Sequence, residues 1–485
     1  MSWQRILGGL IVATAGISSA HLLLRFGREV TSPRDLTIPE GSIVYSIRAL
    51  AHGHPLYRDF RRPPYATAPY TPFYYSCIAL LCKTFTKDIN FIYICARSVT
   101  FACTVASLIL VTCLSRRVAP GGAYPGLLGL FTALTVADLR PWGFTCRVDV
   151  MAVALSLGGL KAALSGPNAR RLLLAAAFFI AALFTKQSSV AAPLAIALAL
   201  AHEGRRKHAI VFLLGIALAS ATSFAALDFW TGGRFGANVL AANLAPIIWW
   251  QPTLFAASHL ATASWPVLLW IGSLTIRSRR TLADAALSSY ALISFAVAIL
   301  LSAKAGADRN YFIEAGLAMS IMAGRGWLGW MTLASRWKAL RIILPALGLL
   351  ISEAALASLS SWFITPPITA QPSDELFNRI LRTPGPILFG DAGLAVRFAD
   401  PPAILDKFNA SYLHRRGLID FSALSEAIEN RIFVSIILEH PDPFQTIHGQ
   451  PWWPEEVALA IDRNYRYRRR LQDQYEFLPR PKIIH

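Results

Sequence analysis

Long apolar runs separated by short basic clusters constrain this chain more than any other feature. A membrane-crossing helix needs about 20 mostly apolar residues, and the chain offers run after run of about that length. Because lipid leaves backbone groups no outside partner, such runs are expected to be helices. We predict about eleven spans, at residues 5–24, 91–114, 123–139, 148–164, 171–185, 187–201, 208–229, 256–276, 281–302, 312–331 and 341–363.

The overall composition excludes a soluble protein. Of the 485 residues, 54% are hydrophobic and 15% are charged, and the mean hydropathy is +0.45. Soluble domains carry about 25% charged residues. The high apolar fraction and the lack of a short repeat also exclude disordered, collagen-like and coiled-coil chains.

The net charge of +18 is distributed unevenly. Residues 1–370 contain 32 Lys and Arg against 13 Asp and Glu, whereas residues 371–485 contain 14 against 15. The excess of base lies among the apolar segments, so it indicates membrane orientation and not nucleic-acid binding. We therefore predict a membrane body over 1–365 and a small, near-neutral domain over 370–485.

The basic clusters fall in alternate loops between the predicted spans. Positive residues concentrate in cytoplasmic loops, which places the N-terminus inside and the C-terminal domain outside. The same parity places 25–90 outside as one long loop, in which Tyr70–Phe85 is too short to span and is predicted to lie at the interface. The clusters are Arg116-Arg117, Arg170-Arg171, Arg205-Arg206-Lys207, Arg277 with Arg279-Arg280, and Arg336, Lys338 with Arg341.

Several charged residues lie on the outer side, against the positive-inside trend. Lys186 stands in a short turn between two apolar runs, where it either snorkels to the interface or binds a lipid phosphate. Arg147 and Asp149 open one span and can pair with each other. Glu314 lies about one turn into another span, after Arg309, and is expected to face the bundle interior.

The first outer loop contains an amphipathic stretch, Ser42–Ala51, that predicts a short surface helix ended by Gly53. Glu40 directly precedes it. Glu40 either complements the helix dipole or is a carboxylate held at the mouth of a membrane cavity. Tyr57, Asp59 and Tyr65 follow in the same loop and are candidates to line an acceptor path.

The six cysteines all lie in or beside apolar segments and indicate core packing, not a disulfide framework. No His or Cys spacing indicates a metal site. Within 370–485 the pattern predicts an α/β domain without a catalytic constellation. Its expected strands are Ile387–Phe389, Ile432–Leu438 and Tyr475–Leu478, its helices Ser422–Asn430 and Glu455–Tyr465, and Tyr465–Arg470 is expected to be a solvated helix face.

Five motifs in one order, all on the predicted outer side, resemble GT-C superfamily membrane glycosyltransferases. The chain is similar to bacterial relatives of dolichyl-phosphate-mannose protein mannosyltransferases and lipid A aminoarabinose transferases. The motifs are Pro39-Glu40-Gly41 with YSIRALAHGHPLYRD, then PPY…YTPFYY, Arg147-Val148-Asp149, Thr185-Lys186-Gln187 and DRNYFIE.

The resemblance implies a GT-C-like fold and transfer of a sugar from a polyprenyl-phosphate donor at the outer face. It implies an acidic base in the first outer loop, which by position is Glu40, with Asp35 and Asp59 as alternatives. The acceptor would be a glycan, lipid or protein, and the protein would lie in a bacterial inner membrane with its C-terminal domain outside.

The chemistry of that reaction fits the candidate residues. A phosphate leaves as an anion without being protonated, so one carboxylate suffices as base on the acceptor hydroxyl, and attack opposite the phosphate inverts the anomeric centre. Fixed cations stabilise the departing charge, and Lys186, Arg147 and Arg309 are candidates. Neither a metal nor another cofactor is predicted. Tyr57, Tyr65, Asp149 and Glu314 are the candidates for binding substrate.

Two other classes of function stay open at this point. A secondary transporter or lipid flippase would place its charges near the bilayer midplane and show two related halves. Here the charges gather at one face and no internal repeat is visible, which favours the enzyme. A non-catalytic subunit with the same fold is the third possibility.

Overall fold

The computed structural model describes residues 3–481 except 33, 39, 86, 120–122, 167, 277–280, 365–373 and 448–449. It forms two compact units, one of residues 1–27, 97–226 and 246–367, the other of residues 28–96, 227–245 and 368–485. The predicted basic cluster of Arg277, Arg279 and Arg280, and also Pro39, lie outside the described residues. The division into domains 1–365 and 370–485 stays a prediction.

Helices dominate the described chain. In order along the chain they are α1 (Trp3–Glu29), α2 (Glu40–Ala51), α3 (Phe73–Phe85), α4 (Ile89–Ser115), α5 (Tyr124–Leu134), α6 (Leu139–Trp142), α7 (Asp149–Leu164), α8 (Ala169–Leu183), α9 (Ala191–His202), α10 (Arg206–Trp230), α11 (Arg234–Val239), α12 (Gln251–Thr262), α13 (Ser264–Leu274), α14 (Leu282–Ser302), α15 (Ile313–Ile321), α16 (Ala323–Arg336), α17 (Leu340–Ile364), α18 (Asp374–Arg382), α19 (Ala392–Phe398), α20 (Lys407–Arg415), α21 (Ser422–Glu429) and α22 (Glu455–Asn464). Short 3-10 helices cover Ala241–Asn243 and Arg309–Phe312.

The predicted spans are mainly helical in the described residues, but three are not single straight helices. Segment 123–139 stops being helical at Leu134, segment 312–331 divides into α15 and α16, and segment 256–276 divides into α12 and α13, which are bent by 89°. In the described residues α1, α4, α10 and α14 are long and apolar enough to cross a membrane, with the bent pair as a fifth. The count of eleven spans stays a prediction.

Helix starts in the first unit follow local side-chain chemistry. The side chain of Asn168 accepts from the backbone N–H of Arg171 and caps α8. Thr281 and Asp284 form a capping box at the start of α14. Pro125 occupies the first turn of α5, where its missing N–H is not needed.

Glycines let α13 and α16 pack backbone to backbone in the first unit. A Cβ on Gly326 would overlap the carbonyl oxygen of Leu269, and one on Gly329 would overlap that of Gly272. Small residues at such spacing permit close helix contact where lipid gives no hydrophobic drive for association. This close backbone contact joins α13 to α16.

The second unit contains a four-stranded mixed sheet in the order β1-β2-β6-β5. Strand β1 pairs with β2 in parallel, while β6 is antiparallel to both β2 and β5. Strands β3 and β4 form a separate antiparallel pair. The strands are β1 (Ile387–Phe389), β2 (Ser435–Leu438), β3 (Thr446–Ile447), β4 (Gln450–Pro451), β5 (Tyr465–Leu471) and β6 (Gln474–Pro479).

The basic run Tyr465–Arg470 was expected on a helix, and that expectation is wrong. The run lies in β5 because its backbone pairs with β6 across a tight turn, in which Gln472 has φ of 60°. Helix α22 ends one residue earlier, at Asn464. The other strands and helices expected between 387 and 478 form, and their limits differ from the predicted ones by at most three residues.

The segment 25–90, predicted to be an outer loop, is helical where amphipathicity predicted it. Helix α2 begins at Glu40, and the chain reverses at Gly53, which has φ of 84°. Its first turn packs on the first turn of α19: a Cβ on Gly41 would lie 2.5 Å from the carbonyl carbon of Ala392. Helix α2 is largely buried in this unit, so it is not a freely exposed surface helix.

Candidate functional site

A buried carboxylate, Asp149 at the start of α7, is the centre of a charged cluster in the first unit. Its Oδ1 accepts from Lys186 Nζ at 2.6 Å and from Asn310 Nδ2 at 2.8 Å. Its Oδ2 accepts from Arg147 Nε at 3.1 Å. The Asp149 side chain is 2% exposed, so its charge depends on these donors. Two cations on one anion leave a net positive charge in the cluster.

Lys186 is held from two sides. It lies in the turn between α8 and α9, and its Nζ lies 4.2 Å from the centre of the Tyr311 ring, in addition to its bond to Asp149. An ammonium has three donors, of which Asp149 takes one. A lysine that snorkels to the interface, the predicted alternative, would extend toward the head groups and away from Asp149 and Tyr311. The observed contacts instead hold the Lys186 ammonium against these two side chains.

A cavity borders the cluster, with Lys186, Asn310, Tyr311 and Glu314 among its lining residues. Its volume of about 20 Å³ is enough for one water molecule but not for a sugar. Glu314 borders it, and its Oε1 accepts from Tyr290 OH at 3.0 Å. The cavity also has three serine residues on its wall, namely Ser188, Ser189 and Ser294.

Arg309 lies beside a different carboxylate. Its Nε lies 3.7 Å from Oδ1 of Asp138, which is fully buried. The other oxygen of Asp138 lies 3.2 Å from Nδ1 of His259, also fully buried, and the His259 ring stacks on Phe312. The 3-10 helix Arg309–Phe312 thus supplies polar side chains to two buried carboxylates. Asn310 donates to Asp149, and the Arg309 guanidinium lies beside Asp138.

The predicted base and its first alternative lie together in the second unit. Glu40 Oε2 accepts from the backbone N–H of Leu36 at 2.7 Å, and Asp35 Oδ2 accepts from that of Gly41 at 2.7 Å. Tyr93 OH donates to Asp35 Oδ1 at 2.6 Å. Glu40 is fully buried. Each carboxylate therefore accepts a hydrogen bond from the backbone next to the other residue, and the two bonds hold the start of α2 against residues 35–36.

A third carboxylate, that of Asp391, faces this pair from the position directly before α19. It caps that helix by accepting from the N–H of Leu394 at 2.8 Å. Burial raises the pKa of Asp35 well above its usual value, and the charges of Asp391 and Glu40 add to the effect. Burial, followed by the charge of Glu439, raises the pKa of Asp391 to about 6.

The remaining loop candidates have other surroundings. Asp59 is partly exposed and pairs with Arg61 at 2.8 Å, and the hydrogen bond from Arg61 lowers the pKa of Asp59. Tyr57 is buried, donates to the carbonyl of Tyr70 and packs on Phe235, while Tyr65 is buried against Phe421. Burial raises the pKa of both tyrosines. In the part of the chain that is described, neither tyrosine borders the cavity beside Asp149.

Solved structures with the same fold show what kind of protein this chain resembles. ArnT from Cupriavidus metallidurans bound to undecaprenyl phosphate matches with a TM-score of 0.56 and 13% identity, over 97% of this chain and 98% of that chain. The apo state of the same protein matches with a TM-score of 0.59. The archaeal oligosaccharyltransferase AglB from Archaeoglobus fulgidus, in complex with an inhibitory peptide and a dolichol-phosphate, matches with a TM-score of 0.53 and 13% identity, over 99% of this chain and 75% of that chain.

The chain has the fold of the GT-C membrane glycosyltransferases. The resemblance noted in the sequence is therefore confirmed at the level of the fold. The apolar helices together with this fold support an integral membrane protein. No family model matches the chain, and no curated protein matches it in sequence.

Within this GT-C fold, several polar residues of the site were not among the predicted candidates. Asn310 stands inside the DRNYFIE motif, so the motif was the signal that could have identified it. Tyr290 and His259 lie within largely apolar helices, and their partners lie 24 and 121 residues away in the sequence. No short-range sequence pattern predicts such pairs. No three His, Cys, Asp or Glu side chains among the described residues are placed to hold a metal ion.

Proposed function

We propose that this protein transfers a sugar from a polyprenyl-phosphate-linked donor to an acceptor hydroxyl, with inversion, at the outer face of a bacterial inner membrane. The product would be a cell-surface glycan or glycoconjugate, and the acceptor a glycan, lipid or protein. The observation that carries the proposal is the buried Asp149, which holds Lys186 and Arg147 beside a cavity. Its context is a fold shared with glycosyltransferases along nearly the whole chain.

The donor phosphate would interact with the cations of the first unit. Lys186 supplies a compact charge and Arg147 a planar fork of donors, and both suit phosphate oxygens. Asp149 keeps the two cations oriented, so they need not reorganise as negative charge develops on the leaving phosphate. Arg309 is the third candidate, because Asp138 fixes its direction. Asp149 and Glu314 would bind polar groups of the substrate.

The acceptor hydroxyl needs one base, because the departing phosphate carries its own charge away unprotonated. We assign that role to Glu40, with Asp35 and Asp59 as alternatives. The base takes the proton of the acceptor hydroxyl while the acceptor oxygen attacks the anomeric carbon. The bond between that carbon and the phosphate oxygen breaks, and the phosphate leaves with its electron pair. Tyr57 and Tyr65 stay candidates for acceptor contacts in the first outer loop.

Loss of the gene product is the direct test of this function. Cells that lack the chain should lose one sugar from a surface glycan and accumulate the corresponding lipid-linked donor, and the wild-type chain should restore both. Mass spectrometry of surface glycans and of extracted polyprenyl-phosphate lipids measures the two changes. A glycan change without donor accumulation favours a non-catalytic subunit, and no change in either contradicts the proposal.

The proposed orientation has its own test. The basic clusters in alternate loops place the N-terminus in the cytoplasm and the C-terminal α/β domain outside. Reporter fusions after Arg206 and after Gln371 should therefore report opposite sides of the membrane. The same side for both fusions contradicts the orientation, whatever the chemistry.

A further inference from the structure

A second, apolar cavity lies in the first unit, away from the charged cluster. It is a groove of about 470 Å³ lined by one face of α4 and by α5. The α4 residues that line it recur at intervals of three and four, as expected for one side of a helix. Val105 and Ile109 are 42% and 57% exposed, so the groove is open to its surroundings. Leu130 and Leu134 form the wall on α5.

One end of this groove carries a cation. Arg116 directly follows α4 and lines the groove, and a Cβ on Gly126 would lie 2.7 Å from its Nε and 2.9 Å from its Cγ. The Arg116 side chain therefore lies across the bare backbone of Gly126. Its neighbour Arg117 has a different role: it donates to the carbonyl of Leu164 at 2.7 Å. In the described chain, no carboxylate lies within ion-pair distance of Arg116.

The dimensions of the groove correspond to one lipid leaflet. From Val105 to Arg116 the helix advances by about 16 Å. Half of a hydrocarbon core is about 15 Å thick. An acyl chain in the groove would thus run from the bilayer midplane to a head group beside Arg116. Arginine binds phosphate oxygens well, and basic pockets between membrane helices suit anionic head groups.

We propose that the groove between α4 and α5 binds an anionic phospholipid, with its phosphate at Arg116 and one acyl chain along Val105, Ile109 and Leu134. This site is separate from the donor site proposed at Asp149, and it faces the side of the membrane on which the basic clusters are predicted. A partner helix would also fit an apolar face, but it would leave the cation at the end of the groove without an anion. Charge complementarity therefore favours the lipid.

Native mass spectrometry of the full-length protein in detergent tests the proposal. Phosphatidylglycerol and phosphatidylcholine with the same acyl chains are the two probes. The wild-type protein should retain phosphatidylglycerol about tenfold better than phosphatidylcholine, and Arg116→Gln should remove that preference. Arg116→Lys should keep most of it. Arg206→Gln, at an exposed arginine of the same predicted side, is the matched control and should change nothing.

A bulky side chain in the groove separates the head-group effect from the acyl-chain effect. Ile109→Trp should reduce the retention of both lipids, and an unchanged melting temperature shows that the variant is folded. Equal retention of the two lipids by the wild-type protein, or full retention by Arg116→Gln, overturns the proposal. A dimer that Ile109→Trp dissociates would instead identify the groove as an interface between two copies. None of these outcomes depends on transferase activity.

Discussion

Lys186 and Asp149 form a 2.6 Å ion pair in which both side chains are almost completely removed from solvent. The pair gives the proposed phosphate-binding cation a fixed position, because the lysine is anchored to a carboxylate that Arg147 and Asn310 also hold. A buried pair of this kind is weak evidence for stability, since desolvation offsets the attraction. Its value lies in the orientation of the cation.

We expect Lys186→Ala to weaken the binding of undecaprenyl phosphate by about 1.5–3 kcal/mol, the range for a hydrogen bond to a charged group. It also leaves Asp149 with one cation fewer, which lowers stability. Isothermal titration measures the first effect and thermal unfolding the second. Lys161→Ala, at an exposed lysine of α7, the helix that begins at Asp149, is the matched control and should alter neither.

The double variant Lys186→Ala/Asp149→Asn separates the two effects. It removes the buried carboxylate that Lys186→Ala leaves with Arg147 as its one charged partner. The double variant should therefore recover part of the lost stability but not phosphate binding. If Lys186→Ala binds undecaprenyl phosphate with wild-type affinity, Lys186 is not the phosphate ligand, and Arg147 or Arg309 takes its place in the proposal.

The close approach of α2 and α19 predicts that Gly41 does not tolerate a side chain. In Gly41→Ala the new Cβ meets backbone atoms of Ala392 and Gly393, which cannot rotate away. Overpacking of this kind costs about 1–3 kcal/mol. We therefore expect a lower midpoint of thermal unfolding. Gly27→Ala is the control, because a Cβ there meets nothing within 4 Å and alanine favours the helix. Equal midpoints for the two variants would show that α2 and α19 do not pack so closely.

Asp391 predicts a pH dependence of stability. Its pKa in the folded protein is about 6, above the unfolded value of about 3.9. Between these values the folded protein binds more protons than the unfolded chain, so stability falls as pH rises from about 4 to about 6. The loss amounts to about 3 kcal/mol. Asparagine also caps helices, so Asp391→Asn should keep the cap of α19 and remove most of this slope.

Unfolding of the full-length protein in detergent at pH 4.5 and at pH 7 measures the slope. The quantity to compare is the difference between the wild-type protein and Asp391→Asn, because other groups titrate in both. Asp462→Asn, at an exposed residue of α22, should behave like the wild type. Parallel pH profiles for the wild type and Asp391→Asn would contradict the prediction.

The sequence was informative where the physical signal is local. Apolar length predicted the helices, and short apolar runs such as Ile387–Phe389 predicted most of the sheet. The breaks at Ala263 and Met322 were missed because a long, mostly apolar run continues through each of them. Strand β5 was misassigned because its state depends on pairing with β6. The interactions of Asp149 with Lys186 and Asn310 join residues far apart in sequence. Local sequence patterns could therefore identify the charged residues but not the residues that they contact.

Glu40 is the residue to which we assign the role of base. Glu40→Gln keeps the side chain's size and can still accept from the N–H of Leu36, so α2 should stay in place. It cannot take a proton, and the loss of a general base typically reduces turnover by about 10²–10⁴-fold. If Glu40 only complements the helix dipole, the change should cost about 0.3–1 kcal/mol of stability and leave turnover nearly unchanged.

Asp35→Asn and Asp59→Asn are the comparisons for Glu40→Gln. Asp59 pairs with exposed Arg61, so its variant should retain turnover. Turnover and donor affinity of the three purified variants decide the assignment: near-normal turnover in Glu40→Gln, with a loss in one of the others, transfers the role of base to that residue.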